Sequence, residues 1–415
     1  MAQSRKKSKS RGRRKSNKPK GRAAAPKGKK NNPLIPEFNG QQPSKPAGTY
    51  SGVLEINEKG YGFLRKLNHE FTQKESDPFV HVNMVHMLYL KPGLVLDCEL
   101  EEDNKGNRRV TEILQINGRP IKDWTLAKRF ELQTPIMPVS QIKLSHKAEE
   151  TEMRVIDLIS PVGKGQRAII VAPPRTGKTV LLKQIAKAIE TYHKKIHLAV
   201  LLIDERPEEV TDFIRTTSGQ VFASSNDNPV ESHTRIAEMA LGYVKRRAEM
   251  GDDVVLLIDS LTRMGRAYNG VKSGSGGRTM SGGLDIRALE IPKRIFGAAR
   301  KIEGAGSLTI IATCLIETNS RMDDLIFEEF KGTGNMELVL DRDLANDRIF
   351  PAINIAASGT RNEEKFIEDS SIEERNVLRR YLLRKPPKDS MLSLLQVLKR
   401  TTSNRDLLEQ LATLT

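Results

Sequence analysis

Ala168-Ile169-Ile170-Val171-Ala172-Pro173-Pro174-Arg175-Thr176-Gly177-Lys178-Thr179 joins an apolar, strand-like run to a helix-like run from Val180 to Glu190. A sharp strand-to-helix turn of this composition points backbone N–H groups at phosphate oxygens. Lys178 adds a point charge, and the Thr179 hydroxyl can hold Mg²⁺. The first position of G-x-x-x-x-G-K-[ST] is Ala172, a mild departure from the pattern. The stretch reads as a phosphate-binding loop.

Working outward, Leu198-Ala199-Val200-Leu201-Leu202-Ile203 runs into Asp204-Glu205-Arg206-Pro207, and Val254-Val255-Leu256-Leu257-Ile258 runs into Asp259-Ser260. In parallel sheets ligand chemistry collects at the carboxyl ends of strands, so these acids fall near the phosphate loop. Asp259 fits the magnesium-side acid of nucleotide hydrolases, and Glu205 fits a base that orients the attacking water. From Thr151 onward apolar strands alternate with helical stretches, the pattern of a parallel sheet covered by helices on both faces.

At 415 residues the chain is too long for a single core, so two or more domains are expected. The formal charge of +16 is concentrated at one end: residues 1–48 hold 15 Lys/Arg against one acid, and the remainder 53 against 51. Residues 1–48 have almost nothing to bury and read as a disordered basic tail, able to meet a polyanion through its phosphates. The folded part must contact nucleic acid through local patches. Cys98 and Cys314 match no metal or redox spacing, which suits a reducing cytosol. No run approaches the roughly 18 apolar residues of a membrane span, and the basic N-terminus lacks the apolar stretch of a signal peptide.

Between Thr49 and Gly118 short apolar alternations broken by turns predict a small five-stranded β-barrel. Its strands centre on Gly52 to Ile56, Gly62 to Leu64, Pro78 to Val82, Leu94 to Leu100 and Val110 to Leu114. Lys59-Gly60-Tyr61-Gly62-Phe63 follows the aromatic ribonucleoprotein pattern, with Phe79 on a second strand. Glycines would let bases approach while Tyr61, Phe63 and Phe79 offer faces for stacking, worth roughly 1–3 kcal/mol per base. Arg65 is the candidate phosphate contact. The stretch resembles the cold-shock and related oligonucleotide-binding barrels. A polar, Pro-marked connector, 119–150, leads to the second domain, 151–415.

Three long strings carry a closer resemblance: residues 155–167 with the phosphate loop, Leu201 to Val210, and Lys331-Gly332-Thr333-Gly334-Asn335-Met336-Glu337. From about Thr49 to the C-terminal region the chain resembles the bacterial transcription termination factor Rho family. That resemblance implies a RecA-type α/β motor behind the RNA-binding barrel, assembled as a cytoplasmic homohexamer. Such a ring threads single-stranded RNA, hydrolyses ATP with Mg²⁺ and releases RNA polymerase. Residue by residue it assigns Pro174, Arg175, Thr176, Gly177, Lys178 and Thr179 to the ATP phosphates and Mg²⁺, and Asp259 to the metal. Glu205 activates water with Arg206 nearby, and Phe350 packs on adenine. Arg361 matches the arginine finger delivered into the neighbouring subunit. Two loops would hold RNA in the central pore: Ser273 to Gly283 with Arg278, and Lys331, Gly332 and Thr333.

Two departures stand out. The family's small helical subdomain ahead of the barrel is expected to be absent, the basic tail standing in its place. Where a further aromatic base contact would lie on the late barrel strand, this chain has Arg108-Arg109-Val110, which puts a strict cytosine preference in doubt. A rotary ATP synthase subunit or a DNA recombinase shares the motor fold but not a barrel with Tyr61 and Phe63. A cold-shock-like RNA-binding protein with an inactive motor is disfavoured by Lys178, Glu205, Asp259 and Arg361 occurring together.

Overall fold

The computed structural model describes residues 45–68, 70–273, 283–285, 287–367 and 371–412. The expectation of a disordered tail falls outside them, save that Lys45 to Gly48 already belong to the first strand. Arg278 and most of its loop also lie outside the described residues.

Among the described residues five strands close a barrel in the order β1-β2-β3-β5-β4. They are β1 (Lys45–Ile56), β2 (Gly62–Lys66), β3 (Phe79–Val80), β4 (Val95–Glu102) and β5 (Arg108–Ile116). Alternate residues turn inward, so Leu54, Leu64, Leu96, Cys98, Leu100, Val110, Ile113 and Ile116 make one core. The glycines of the aromatic motif do structural work instead of clearing space for bases. Gly60 takes φ +83° in the β1–β2 turn, and a side chain on Gly62 would strike Leu54 Cδ1 at 2.6 Å. Two short helices, α1 (Val82–Met87) and α2 (Ile121–Leu126), flank the barrel.

The connector is not a solvated strap. It supplies β6 (Pro135–Ile136), which pairs with β11 (Arg300–Ile302) of the second domain, and it buries Phe130, Ile142 and Leu144. These apolar residues follow no period, so the sequence alone did not reveal them as core.

The second domain is a twisted sheet ordered β14-β13-β7-β12-β10-β8-β9. Its strands are β7 (Arg167–Ala172), β8 (Ile196–Glu205), β9 (Gln220–Ser225), β10 (Asp253–Asp259), β12 (Ser307–Leu315), β13 (Met336–Val339) and β14 (Gly359–Thr360). All neighbours pair in parallel except β13 with β14. The uniformly apolar strands are those buried on both faces. On β8, Val200 and Leu202 point into one core while Ala199, Leu201 and Ile203 point into the other.

Helices α3 (Thr151–Ile159), α4 (Lys178–Tyr192), α5 (Pro207–Thr216) and α6 (Val230–Glu249) come first along the chain, α5 and α6 packing on β8 and β9. Then come α7 (Leu261–Ser273), α8 (Glu290–Phe296), α9 (Arg321–Lys331) and α10 (Arg342–Asn346). A C-terminal group, α11 (Ile372–Leu383), α12 (Pro387–Arg400) and α13 (Asn404–Ala412), packs on α3 around the buried Arg154. That guanidinium donates to Asn404 Oδ1, Thr401 Oγ1 and the carbonyls of Leu398 and Thr401.

Barrel and motor meet along α6. Gly93, at φ +91°, lies so close to the α6 backbone that a Cβ there would be 2.2 Å from the Gly242 carbonyl carbon. Phe71 stacks on Phe222 of β9, ring centroids 4.7 Å apart.

Candidate nucleotide and RNA sites

The phosphate loop leaves β7 near the middle of the sheet. Arg175 (φ +68°) and Gly177 (φ +88°) are both left-handed, a curl that turns successive N–H groups toward one concavity. Thr176 is buried and donates to the Pro173 carbonyl at 2.8 Å, pinning the loop from inside. Gly177 is the N-cap of α4, so the positive end of that helix faces the same concavity.

Because β7, β8 and β10 are parallel, their carboxyl ends share one edge, and the chain there brings Lys178, Glu205 and Asp259 together. Lys178 Nζ lies 2.5 Å from Asp259 Oδ1 and 3.9 Å from Glu205 Oε2. Asp259 Oδ1 also accepts from Thr313 Oγ1 of β12 at 2.9 Å. Thr179 Oγ1 donates to Glu209 Oε2 at 3.3 Å, and Arg263, in the first turn of α7, holds Glu205 Oε1 at 3.0 Å. Burial first, then the negative charge of Asp259, pushes the Glu205 carboxyl above its ordinary range, and Lys178 and Arg263 only partly offset them. Glu205 Oε2 and Asp259 Oδ2 are buried without a hydrogen-bond partner. Two such oxygens at the edge of the phosphate loop are the hard donors that suit a cation carried in with phosphate.

Phe350 is 43% exposed, and its ring edge lies 3.7 Å from where a Cβ on Gly177 would be. It therefore flanks the loop with its ring partly open to solvent. Arg206 is exposed at the start of α5. Sequence reasoning missed Glu209, Arg263 and Thr313. Arg263 had a signal, since it stands four residues after Asp259, one helical turn beyond the strand end.

Arg361 is not part of this cluster. Its N–H donates to the Asn335 carbonyl at the start of β13, and β13 enters the sheet level with Ala168. It lies at the amino edge, the far end of β7 from the phosphate loop. The Lys331-Gly332-Thr333 turn is on that edge too, with Arg167 Nε donating to the Thr333 carbonyl at 3.0 Å. Lys331 is exposed there, loosely paired with Glu328 at 3.9 Å.

On the barrel, Tyr61, Phe63 and Phe79 form a three-ring cluster with centroids 5.4–5.8 Å apart, meeting edge-on or tilted. Phe63 and Phe79 are direct cross-strand partners. Three open stacking faces are not what this produces: Tyr61 is 8% and Phe79 6% exposed, and Phe63 is the more open ring. Arg65 also departs from expectation. Its guanidinium is buried, 5.1 Å from the Phe63 centroid, with Nε on Glu55 Oε2 at 2.5 Å and Nη1 on Asp77 Oδ2 at 2.7 Å. A cation held between two carboxylates is not a free phosphate contact.

Comparison with known proteins agrees with both halves. Residues 50–122 match the family described as Rho termination factor, RNA-binding domain, and residues 152–360 match the ATP synthase alpha/beta family, nucleotide-binding domain. The transcription termination factor Rho of Aquifex aeolicus is 46% identical over 364 residues, covering 86% of this chain and 83% of the relative. That of Cereibacter sphaeroides is 44% identical, covering 87% of each. Among solved structures, a prototypical ATPase from the type III secretion system of pathogenic bacteria superposes with a TM-score of 0.55 at 23% identity, over 68% of this chain and 86% of the other. At that identity the likeness concerns the fold alone.

Proposed function

Because this chain belongs to the transcription termination factor Rho family, we propose that it captures a nascent transcript on its barrel and terminates transcription by ATP-driven translocation along it. It is an RNA-binding ATPase, and the finer reading is of a homohexameric ring that releases RNA polymerase in the cytoplasm. The observation that carries the reading is the pairing, in one chain, of an aromatic barrel face with a phosphate loop whose Glu205 and Asp259 share a strand-end edge. Among the described residues no helix is long and apolar enough to cross a membrane.

In this reading the N–H groups of Arg175 to Thr179 receive the phosphates, and Lys178 exchanges its contact with Asp259 for a phosphate oxygen. Thr179 and Asp259 would hold Mg²⁺, which supplies charge neutralisation at the β- and γ-phosphates when bound. Glu205 orients the attacking water, and Arg263 fixes its carboxylate. Arg361 serves the neighbour's site, so the transition-state charge is stabilised only when the interface closes.

The test is ATPase rate with single-stranded RNA, with single-stranded DNA of the same sequence, and with neither. Strong stimulation by RNA alone is expected. A rate indifferent to nucleic acid would overturn the reading in favour of a motor of another kind.

A further inference from the structure

One side chain of the motor reaches into the barrel's ion-pair network. Arg235, on α6, donates through Nε to Glu55 Oε1 at 2.6 Å and through Nη2 to Glu55 Oε2 at 3.0 Å, and Nη2 also donates to the Phe71 carbonyl at 2.7 Å. Glu55 Oε2 is the same oxygen that receives Arg65 Nε. The Phe71 carbonyl belongs to the loop whose later residue Asp77 holds the other side of Arg65. Arg235 thus grips Glu55 directly and, through Phe71, the loop that carries Asp77, the two carboxylates that hold Arg65 beside Phe63.

The charges decide what this does. Arg65, Asp77 and Glu55 alone sum to −1, two carboxylates beside an aromatic face meant for a polyanion; Arg235 brings the group to zero. The cluster is shielded from solvent, with Arg65 and Asp77 side chains 7% and 4% exposed and Glu55 and Arg235 22% and 24%, so water would not screen an uncompensated charge well. We propose that Arg235, though part of the motor, is a positioning residue for the barrel's RNA face: through Glu55 it fixes Arg65 under Phe63 and cancels the charge that would repel RNA. This rests on the reading that the aromatic face takes RNA.

The experiment uses the full chain, a labelled single-stranded RNA too short to reach a second site, and no nucleotide. Anisotropy titrations compare wild type with Arg235→Gln, Arg235→Lys, Glu55→Gln/Arg235→Gln and Phe63→Ala, with melting temperature and ATP affinity measured on each. Arg235→Gln is expected to weaken RNA capture about five- to tenfold, the scale of coupling between contacting residues, with ATP affinity unchanged. Arg235→Lys restores most of it, and removing the orphaned carboxylate in Glu55→Gln/Arg235→Gln recovers part. A merely structural staple would lower the melting temperature and leave RNA affinity at the wild-type value, which would overturn the inference. If Arg235→Gln folds poorly, Arg235→Lys and the doubly neutral variant decide: weaker capture in the doubly neutral variant than in Arg235→Lys is expected, and equal capture by wild type, Arg235→Lys and the doubly neutral variant overturns it. Should Phe63→Ala bind as well as wild type, the RNA-face reading itself is lost; should Phe63→Ala fail while Arg235→Gln binds normally, only this inference fails.

Discussion

Arg361 offers the sharpest test, because the sheet fixes how far it is from its own phosphate loop. It sits level with the start of β7, and the loop begins after Ala172. Five residues of parallel strand span about 16 Å at roughly 3.3 Å each, beyond the reach of an arginine side chain of about 7 Å. The finger cannot serve its own subunit in this fold, so any contribution must be in trans. Arg361→Ala should therefore bind ATP normally and lose a factor of about 10³–10⁵ in hydrolysis, the range for arginine fingers. In rings mixed one-to-one with Lys178→Ala subunits, about a quarter of the interfaces join an intact loop to an intact finger in a heterologous ring. Single-turnover hydrolysis of prebound ATP reads those interfaces one by one, free of any need for the whole ring to cycle. A fast phase absent from either parent should appear. Rings shown to be mixed but without that phase would refute the trans assignment.

Other outcomes follow from the same geometry. Glu205→Gln should still bind ATP yet hydrolyse it at least about 10²-fold more slowly, as for other positioned acid–base groups. Since burial and Asp259 raise the Glu205 carboxyl in the folded state, its favourable contribution to folding exists only while it is protonated and is lost as pH rises. Glu205→Gln should accordingly raise the melting temperature of the nucleotide-free protein at pH 8, with the gain vanishing near pH 4; a uniform shift at both pH values would point to packing instead. Phe63→Ala should weaken RNA capture by the roughly 1–3 kcal/mol of a stacked base while leaving ATP affinity alone, as filter binding and nucleotide titration would read. Lys331→Ala should do the reverse, keeping capture near wild type but abolishing the stimulation of ATPase by RNA. Equal loss of capture in both classes would erase the division between barrel and pore sites.

What could be read from the sequence is what covalent neighbourhood or a strict repeat enforces. The phosphate loop needs only Ala168 to Thr179 and the helix after it, and Glu205 and Asp259 reach it because parallel strands must end on one edge. Arg65 marks the limit. Its partners are 10 and 12 residues away, and the residue that completes their charge balance, Arg235, lies 180 positions from Glu55. The chain shows a cation next to an aromatic motif and gives no sign that two carboxylates already hold it. Lys331 looks the same in sequence and differs in the fold, exposed at the end of α9 with a loose pair to Glu328 and its ammonium 5.5 Å from the Phe327 ring centroid. For Arg65 to meet phosphate it must leave the buried Asp77 carboxylate as well as Glu55, a loss of about 3–5 kcal/mol for a broken buried pair. Lys331 has an exposed pair worth at most about 1 kcal/mol to give up. Of these two cations Lys331 is therefore the one free to make a salt-dependent contact with RNA phosphate, at the amino edge of the motor sheet, while stacking on Phe63 should depend only weakly on salt.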